Sequence, residues 1–301
     1  MAAGRQEAMI ITNNHGLPDV VVTALTQDDY TKGKSNRSMT QLIDSPRVGV
    51  LYKEHESAVA KDVTDFLWSR FGTAMHNVFE HAVEGTESLI TEERLYTDAL
   101  EWTISGAIDL QELTPNGRII SDYKVTSAWS VIFGKKEWHN QLNAYAWLVR
   151  KATGDTVKQL RIICIIRDWQ RRRAYEDASY PQSPIEIIPI DLWSERDQDE
   201  YMEGRIRLHQ NAEYDRLTGS ELPHCSDAER WKKEDSFAVM KKGRKRAVRV
   251  LSSNQDAELF LYNLEDTDKH FIEVRKGEAT RCVQDWCSVA RWCDQYQGEN
   301  K

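Results

Sequence analysis

Two strand-like runs joined by a tight turn constrain the fold of this chain more than any other sequence feature. Residues 102–113 and 118–125 are rich in β-branched and apolar residues, and Pro115-Asn116-Gly117 lies between them. Asn-Gly between two such runs predicts an antiparallel hairpin closed by a two-residue turn. The fold is therefore expected to contain a sheet whose local register follows from this turn.

The turn also predicts which side chains of the hairpin face one another. If Asn116-Gly117 forms the turn, Asp109 lies directly opposite Lys124, and Asp122 is its diagonal neighbour. Residues i and i+2 of a strand point to the same face, so all three side chains share one face. A cross-strand salt bridge on a solvated face is the ordinary explanation of such a group.

Metal-assisted phosphodiester hydrolysis is the chemical alternative, because it needs a hard cation held by oxygen ligands. Asp109, Asp122 and the main-chain carbonyl of Tyr123 could hold Mg²⁺ or Mn²⁺. The cation would polarise a phosphoryl oxygen and lower the pKa of a bound water. Lys124 could then orient or deprotonate that water, or offset charge on the transition state.

Hydrophobic patterning along the rest of the chain predicts an α/β fold with a mixed sheet. Helices are predicted at 57–83, 137–151 and 191–217, and further strands at 89–96, 159–166 and 185–190. We expect three parts: an irregular N-terminal arm (1–48), a core domain (49–220) and a basic, cysteine-bearing module (221–301).

Four short motifs occur in order: GTAMH at 72–76, GAID at 106–109, SDYK at 121–124 and QLNAY at 141–145. The ordered set resembles the RecB-like branch of the PD-(D/E)XK nuclease superfamily, which includes the CRISPR-associated RecB-like exonucleases and phage recombination exonucleases. The chain looks most like phage-encoded members. The resemblance implies a restriction-endonuclease-like core, with a mixed central sheet flanked by helices, and Mg²⁺- or Mn²⁺-dependent hydrolysis of DNA. Exonuclease action in phage recombination or DNA processing is the implied role.

The resemblance also implies a role for each matching residue. His76 would bind metal from a helix, Asp109 and Asp122 would be carboxylate ligands, and Lys124 would be the catalytic lysine. Gln141 and Tyr145, one helical turn apart, would contact the substrate or support the lysine. The simpler alternatives are a surface histidine, a polar helix edge and a core aromatic. Glu80 and Glu93 are weaker candidates for partners of the metal ligands.

Cys282, Cys287 and Cys293 form a compact C-terminal group, with Cys225 upstream. Four thiolates suit an iron–sulfur cluster or tetrahedral zinc. The resemblance implies a structural [4Fe-4S] cluster, although in the family the distant cysteine usually precedes the nuclease core. Zn²⁺ is the alternative, with His224 or His270 as a substitute ligand, and free thiols are the simplest explanation. Cys164, in an apolar strand, is predicted to be buried.

Charge distribution bears on the partner. The net charge of −8 argues mildly against DNA, but a basic run lies within residues 239–250 and a second within 167–173. Two such runs in an acidic chain favour a polyanion partner, although a solvated surface is the simpler explanation of either alone. The DNA-binding residues are predicted to be Lys241, Lys242, Arg244, Lys245 and Arg246.

No stretch of the sequence reaches the roughly 18 apolar residues of a membrane span, and the N-terminus shows no secretory signal. We therefore expect no membrane association and a cytoplasmic location, in the host cell if the chain is phage-encoded. The resemblance adds a single-strand annealing or other recombination protein as a partner, and the oligomeric state is left open. A catalytically inactive DNA-binding or scaffold protein on the same fold is the alternative function.

Overall fold

The structure, a computed structural model, describes residues 9–27, 33–83, 86–284 and 286–299. Internal contacts divide the chain into two compact units, Met1–Pro223 and His224–Lys301. The predicted hairpin and the four motifs lie in the first unit. The basic run at 239–250 and the C-terminal cysteines lie in the second.

The first unit is built on a six-stranded sheet. The strands of this unit are β1 (Ile10–Thr12), β2 (Arg37–Ser38), β3 (Ala60–Asp62), β4 (Leu89–Ala99), β5 (Trp102–Thr114), β6 (Gly117–Thr126), β7 (Val157–Ile166) and β8 (Ile185–Ile190). The sheet order is β2-β5-β6-β7-β8, and β4 also pairs with β5, while β1 and β3 form a separate pair. Parallel pairing joins β2 to β5 and β6 to β7, and the other neighbours in the sheet are antiparallel. The predicted mixed sheet is confirmed.

Helices flank this sheet, as the α/β prediction requires. They are α1 (Asp19–Thr26), α2 (Met39–Ile43), α3 (Pro46–His55), α4 (Leu67–Ala82), α5 (Ala128–Phe133), α6 (Lys136–Thr153), α7 (Arg171–Glu176) and α8 (Glu195–Thr218). The helix α6 is the centre of the core, because Leu142, Leu148 and Val149 on it are fully buried against the sheet and α8. No described helix combines the length and apolar character needed to cross a membrane.

The hairpin register differs by two residues from the predicted one. Thr114 pairs with Gly117, so the turn consists of Pro115 and Asn116. Gly117 has φ +118°, and a Cβ there would lie 2.6 Å from the carbonyl oxygen of Thr156. Only glycine fits such a position, which explains why Gly117 begins the strand. Because the shift is even, the side chains predicted to share a face still do so.

Parts of the predicted N-terminal arm are regular structure rather than irregular chain. The strand β2 pairs with β5, and α2 follows it directly. A capping box between Ser38 and Gln41 begins the helix, and Met39 and Leu42 are fully buried. A five-residue helix spans little more than one turn, so no hydrophobic period could reveal it.

The helix predicted at 57–83 begins later, at Leu67. The residues before it form a 3₁₀ turn, Glu56–Ala58, then β3, then a second 3₁₀ turn, Val63–Phe66, which is capped by the side chain of Asp62. A polar residue that satisfies the first free N–H groups of a turn sets where the turn starts, and it does so independently of the apolar spacing.

The second unit contains a three-stranded antiparallel sheet. Its strands are β9 (Ser236–Lys241), β10 (Arg249–Leu251) and β11 (His270–Arg275), in the order β10-β9-β11. Its helices are α9 (Asn254–Tyr262), α10 (Thr280–Val283) and α11 (Asp294–Glu299). The helix α9 contacts all three strands.

Candidate active site

A gap in strand pairing marks the candidate site. The strand β4 covers one edge of β5 along nearly its whole length. On the other edge, β2 pairs with β5 as far as Ser105, and β6 pairs with it from Leu110 onward. In the described part of the chain, no strand pairs with that edge at residues 106–109. The hairpin strands therefore separate at the GAID motif.

The carboxylate of Asp109 bridges this gap. Its Oδ2 accepts a hydrogen bond of 2.8 Å from the main-chain N–H of Tyr123, replacing a ladder bond that the separated strands cannot make. The side chain is buried, and burial together with the charge of Asp122 raises the pKa of Asp109 to about 7. Two carboxylates held this close in low dielectric resist ionising together, and a divalent cation would remove that penalty.

Asp122 and Lys124 form an ion pair on β6, on the same side as Asp109. The Nζ of Lys124 lies 2.5 Å from Oδ2 of Asp122, which is buried. Burial of Lys124 lowers its pKa, but the charges of Asp122 and Asp109 outweigh this and the pKa is raised overall. The ammonium is therefore held in its charged form beside both carboxylates.

Gln141 and Tyr145 reach the same site from α6. The amide Nε2 of Gln141 lies 2.9 Å from Oδ1 of Asp122 and 3.2 Å from the hydroxyl of Tyr145. Gln141 thus contacts the carboxylate of Asp122 directly, and Tyr145 contacts Gln141. The supporting contact within this structure is therefore to Asp122.

Gly106 explains how α6 comes this close to the sheet. A Cβ at Gly106 would lie 2.9 to 3.0 Å from side-chain atoms of Leu148, Met39 and Tyr145. Such contacts are shorter than side chains tolerate, so β5, α2 and α6 approach each other only because this residue is glycine. The glycine of the GAID motif thus acts through packing.

His76 enters the site from α4. Its Nε2 lies 3.6 Å from Oδ2 of Asp109, and its Nδ1 lies 2.9 Å from Oε1 of Glu92. Burial lowers the pKa of His76, but the hydrogen bond to Glu92 and the nearby carboxylates outweigh this and raise it overall. Ring contact with Tyr123, at 5.7 Å between centroids, holds the imidazole from another side.

Glu92 is a site residue that the sequence reasoning missed. The register of β4 on β5 is the same at Thr91 and at Glu93, which places Glu92 opposite Asp109, and Glu92 has φ +49°. Neither strand has an extra residue here, so the distortion is confined to the backbone of Glu92, and strained non-glycine residues of this kind are common at functional sites. Simple alternation in the run TEER cannot show this. Glu93 instead accepts a hydrogen bond from Gln111.

The donor set fits a hard divalent cation. One ligand atom each from His76, Glu92 and Asp109 all lie within 4.8 Å of one another. Asp122 lines the same cleft, which has a volume of about 600 Å³ and also contains Glu80. Carboxylate oxygens with one imidazole suit Mg²⁺ or Mn²⁺. The main-chain carbonyl of Tyr123 stays a predicted ligand. The phenol ring of Tyr123 stacks on the ring of Phe79, with centroids 4.5 Å apart.

The C-terminal cysteines lie close together within the second unit. Cys282 and Cys293 are buried, and burial, followed by the charges of Cys287 and Cys293, raises the pKa of Cys282. The side chain of Gln295 makes two hydrogen bonds to the main chain of Cys225, of 2.8 and 3.0 Å. Because Gln295 follows Cys293 by two residues, this pair of hydrogen bonds holds Cys225 against the C-terminal segment.

The basic run lies at the β9–β10 connection of the second unit. Lys241 pairs with Asp266 at 2.8 Å, and the ammonium of Lys242 donates to the carbonyl of Asp268. The side chains of Arg244, Lys245 and Arg246 are exposed at the turn. In the first unit, Cys164 is buried in β7 as predicted.

Comparison with known proteins identifies the family. A search of curated proteins finds no match. The solved structures that resemble this chain include that of SSO0001, with 17% identity over 63% of this chain and 85% of that chain and a TM-score of 0.44. Another is that of a candidate exonuclease from Eubacterium rectale, with 13% identity over 67% of this chain and 73% of that chain and a TM-score of 0.28. The sequence profile of the PD-(D/E)XK nuclease superfamily matches residues 28–294, and the chain therefore belongs to this superfamily.

Proposed function

We propose that this protein is a metal-dependent nuclease that hydrolyses phosphodiester bonds of DNA. The observation that carries the proposal is the convergence of Asp109, Asp122 and Lys124 where β5 and β6 separate. A solvated salt bridge does not explain the site, because both carboxylates are buried. Burying two like charges costs stability unless a cation or another function compensates for it.

Each residue has a proposed role. When bound by His76, Asp109 and Asp122, the metal would supply Lewis-acid polarisation of the phosphate and a water of lowered pKa. Lys124, charged and beside both carboxylates, orients the attacking water and offsets charge on the phosphoryl oxygens. Gln141 holds Asp122 in position through Oδ1. Glu92 holds His76 with Nε2 directed to the metal, as carboxylates commonly do for histidine ligands.

Finer features of the proposal rest on the motif order rather than on geometry. They are membership of the RecB-like branch, phage origin with action in the host cytoplasm, exonuclease action in recombination or DNA processing, and preference for Mg²⁺ or Mn²⁺. A strand-annealing partner is proposed on the same basis. Residues 241–246 are proposed to contact DNA backbone, with Arg244, Lys245 and Arg246 as the exposed members. The domain bounds at 48 and 220 stay predictions.

We also propose that the second unit binds a structural [4Fe-4S] cluster through Cys225, Cys282, Cys287 and Cys293. The two hydrogen bonds between Gln295 and the main chain of Cys225 support Cys225 as the fourth ligand. The charges of Cys287 and Cys293 act on Cys282, which supports these three as the remaining ligands.

The decisive experiment is digestion of end-labelled linear duplex and single-stranded DNA with Mg²⁺, Mn²⁺ or EDTA. We expect metal-dependent loss of label that Lys124→Ala abolishes, with Lys136→Ala as a matched control at the start of α6. Circular DNA should resist an exonuclease. If the wild type binds DNA but digests none of it with any metal, the inactive scaffold function replaces this proposal.

A further inference from the structure

Four exposed aromatic side chains lie on α4, which lines the cleft, and on α5, which follows the strand of Lys124, and the proposed mechanism uses none of them. Trp68 and Phe71 on α4 are 52% and 43% exposed, and Trp129 and Phe133 on α5 are 58% and 72% exposed. We call these four residues the aromatic rim. Isolated exposed aromatics are ordinary, but a group of them next to a candidate site indicates a binding surface.

The rings of the rim are arranged in two pairs. Trp129 and Phe133 stack almost parallel, with centroids 5.1 Å apart and planes 8° apart. Trp68 and Phe71 meet edge to face at 6.3 Å. The guanidinium of Arg167 lies 4.5 Å from the ring centre of Trp68. Each pair thus keeps ring surface open to solvent, and one pair carries a fixed positive charge.

The main chain joins the rim to the catalytic strand. Ser127 caps α5, so this helix begins four residues after Lys124. The N–H of Arg167 donates to the carbonyl of Thr126 at 2.9 Å. The N–H of Ala128 donates to Asp168 at 2.7 Å. The ends of β6 and β7 are therefore fastened together, with α5 and Arg167 emerging from the same joint.

The helix α4 joins the rim to the cleft as well. Trp68 directly precedes Ser69 and Arg70, which line the cleft, as do Thr73 and His76 further along the helix. The helix α4 thus carries both cleft-lining residues and two of the rim aromatics, and α5 begins just after the carboxyl end of β6. A DNA strand whose phosphate reaches Lys124 would place its neighbouring nucleotides within reach of these rings.

We propose that the aromatic rim stacks unpaired bases of the strand being cleaved, so that the substrate is single-stranded DNA or an unpaired end. The inference rests on the proposed function. Every base presents a flat face that stacks on aromatic rings, and an arginine beside them attracts the backbone. In a duplex the base faces are already stacked on one another, so the rim favours unpaired DNA. The guanidinium of Arg167 over the ring of Trp68 suits the phosphates of DNA, whereas a protein partner would have no need of a cation at this position.

The test compares DNA with and without bases. Affinities are measured in EDTA by fluorescence anisotropy for labelled thymidine strands of about 20 nucleotides, for an abasic strand of equal length and for a blunt hairpin duplex. The variants are Trp68→Ala and the double variant Trp129→Ala/Phe133→Ala, with Tyr214→Ala as control. Tyr214 is 66% exposed on α8. Circular dichroism checks that each variant is folded.

We expect each rim variant to bind the thymidine strand roughly tenfold more weakly, which is the loss of about one stacked base. Its affinity for the abasic strand and the duplex should stay unchanged, as should every affinity of Tyr214→Ala. Equal losses on all three DNAs, or no loss, would overturn the inference. So would loss of self-association in sedimentation with unchanged DNA affinity, since the rim would then join copies of the chain.

The two proposals fail in different ways. If the wild type digests DNA with metal, and the rim variants bind all three DNAs as tightly as the wild type does, the stacking inference alone is wrong. Base-dependent binding through the rim without digestion under any metal would sink the nuclease proposal alone.

Discussion

The imidazole Nδ1 of His76 lies 2.9 Å from Oε1 of Glu92, and Glu92 has a left-handed backbone, with φ +49°. A non-glycine residue in this region costs free energy, so the surrounding structure must impose it. Glu92 lies opposite Asp109 in the β4–β5 register, and His76 contacts both residues, with Nε2 at 3.6 Å from Oδ2 of Asp109. The residue with the strained backbone, Glu92, is thus the same residue that orients His76, the candidate metal ligand.

Glu92→Gln should weaken metal binding. Loss of the carboxylate leaves the orientation of His76 less restrained, and partners of this kind typically contribute about 10- to 100-fold to affinity. Calorimetric titration with Mn²⁺ measures the effect directly. Glu93→Gln is the matched control, because Glu93 contacts Gln111 and Arg118 instead. Equal affinities of the two variants would exclude this role for Glu92.

Metal affinity should rise with pH up to about 7 and then level off. The pKa of Asp109 is raised to about 7, so below that pH the metal must displace a proton. The proton on Asp109 alone changes the affinity by about tenfold per pH unit, and His76, whose pKa is also raised, adds to the slope where it is protonated. Titrations with Mn²⁺ at intervals of about one pH unit between pH 5 and 8 measure how steeply the affinity changes with pH. A pH-independent affinity would mean that Asp109 does not bind the metal.

The contribution of Asp109 to the stability of the metal-free protein should fall as pH rises from about 4 to 7. The pKa of Asp109 is about 7 in the folded state against an ordinary 3.8. Between these values the unfolded chain has released a proton that the folded protein still holds, so the free energy of unfolding falls as pH rises. Asp109→Asn removes this dependence. Thermal melts in EDTA across the range should show the melting temperature of the variant overtaking that of the wild type at high pH.

Gly106→Ala should lower both stability and activity. The added methyl would overlap Leu148, Met39 and Tyr145, and overpacking of this kind costs about 1–3 kcal/mol. Displacement of α6 would also move Gln141 away from Asp122. Denaturant unfolding and the rate of DNA cleavage check the two effects. Gly49→Ala is the control, because a Cβ there meets open space within α3 and should stabilise the helix slightly.

Cys225→Ser should reduce bound iron if this residue is the fourth cluster ligand. Iron and acid-labile sulfide per chain, together with the visible absorbance of anaerobically purified protein, measure the occupancy. Cys164→Ala is the control, since Cys164 lies buried in β7 of the first unit. Full iron content in Cys225→Ser would remove Cys225 from the ligand set. Stoichiometric zinc without iron would replace the cluster with the tetrahedral alternative.

Local patterns in the sequence determined much of the candidate site. The alternation of a strand placed Asp122 and Lys124 on one face, and the hairpin brought Asp109 to the same face although its turn was displaced. Parity survives an even shift, so the prediction needed only the strand period. Spacing of i and i+4 likewise placed Gln141 and Tyr145 together, and the structure shows them in contact.

Only the tertiary structure decided where the strands separate and which acid faces His76. The gap at 106–109 arises because β2 pairs with β5 only as far as Ser105 and β6 pairs with it only from Leu110. The position of Glu92 opposite Asp109 depends on the pairing of β4 with β5. Both features arise from pairing between different strands. The periodicity within one segment therefore cannot predict them. Sequence alone therefore determined which residues share a face, while packing determined which of them meet.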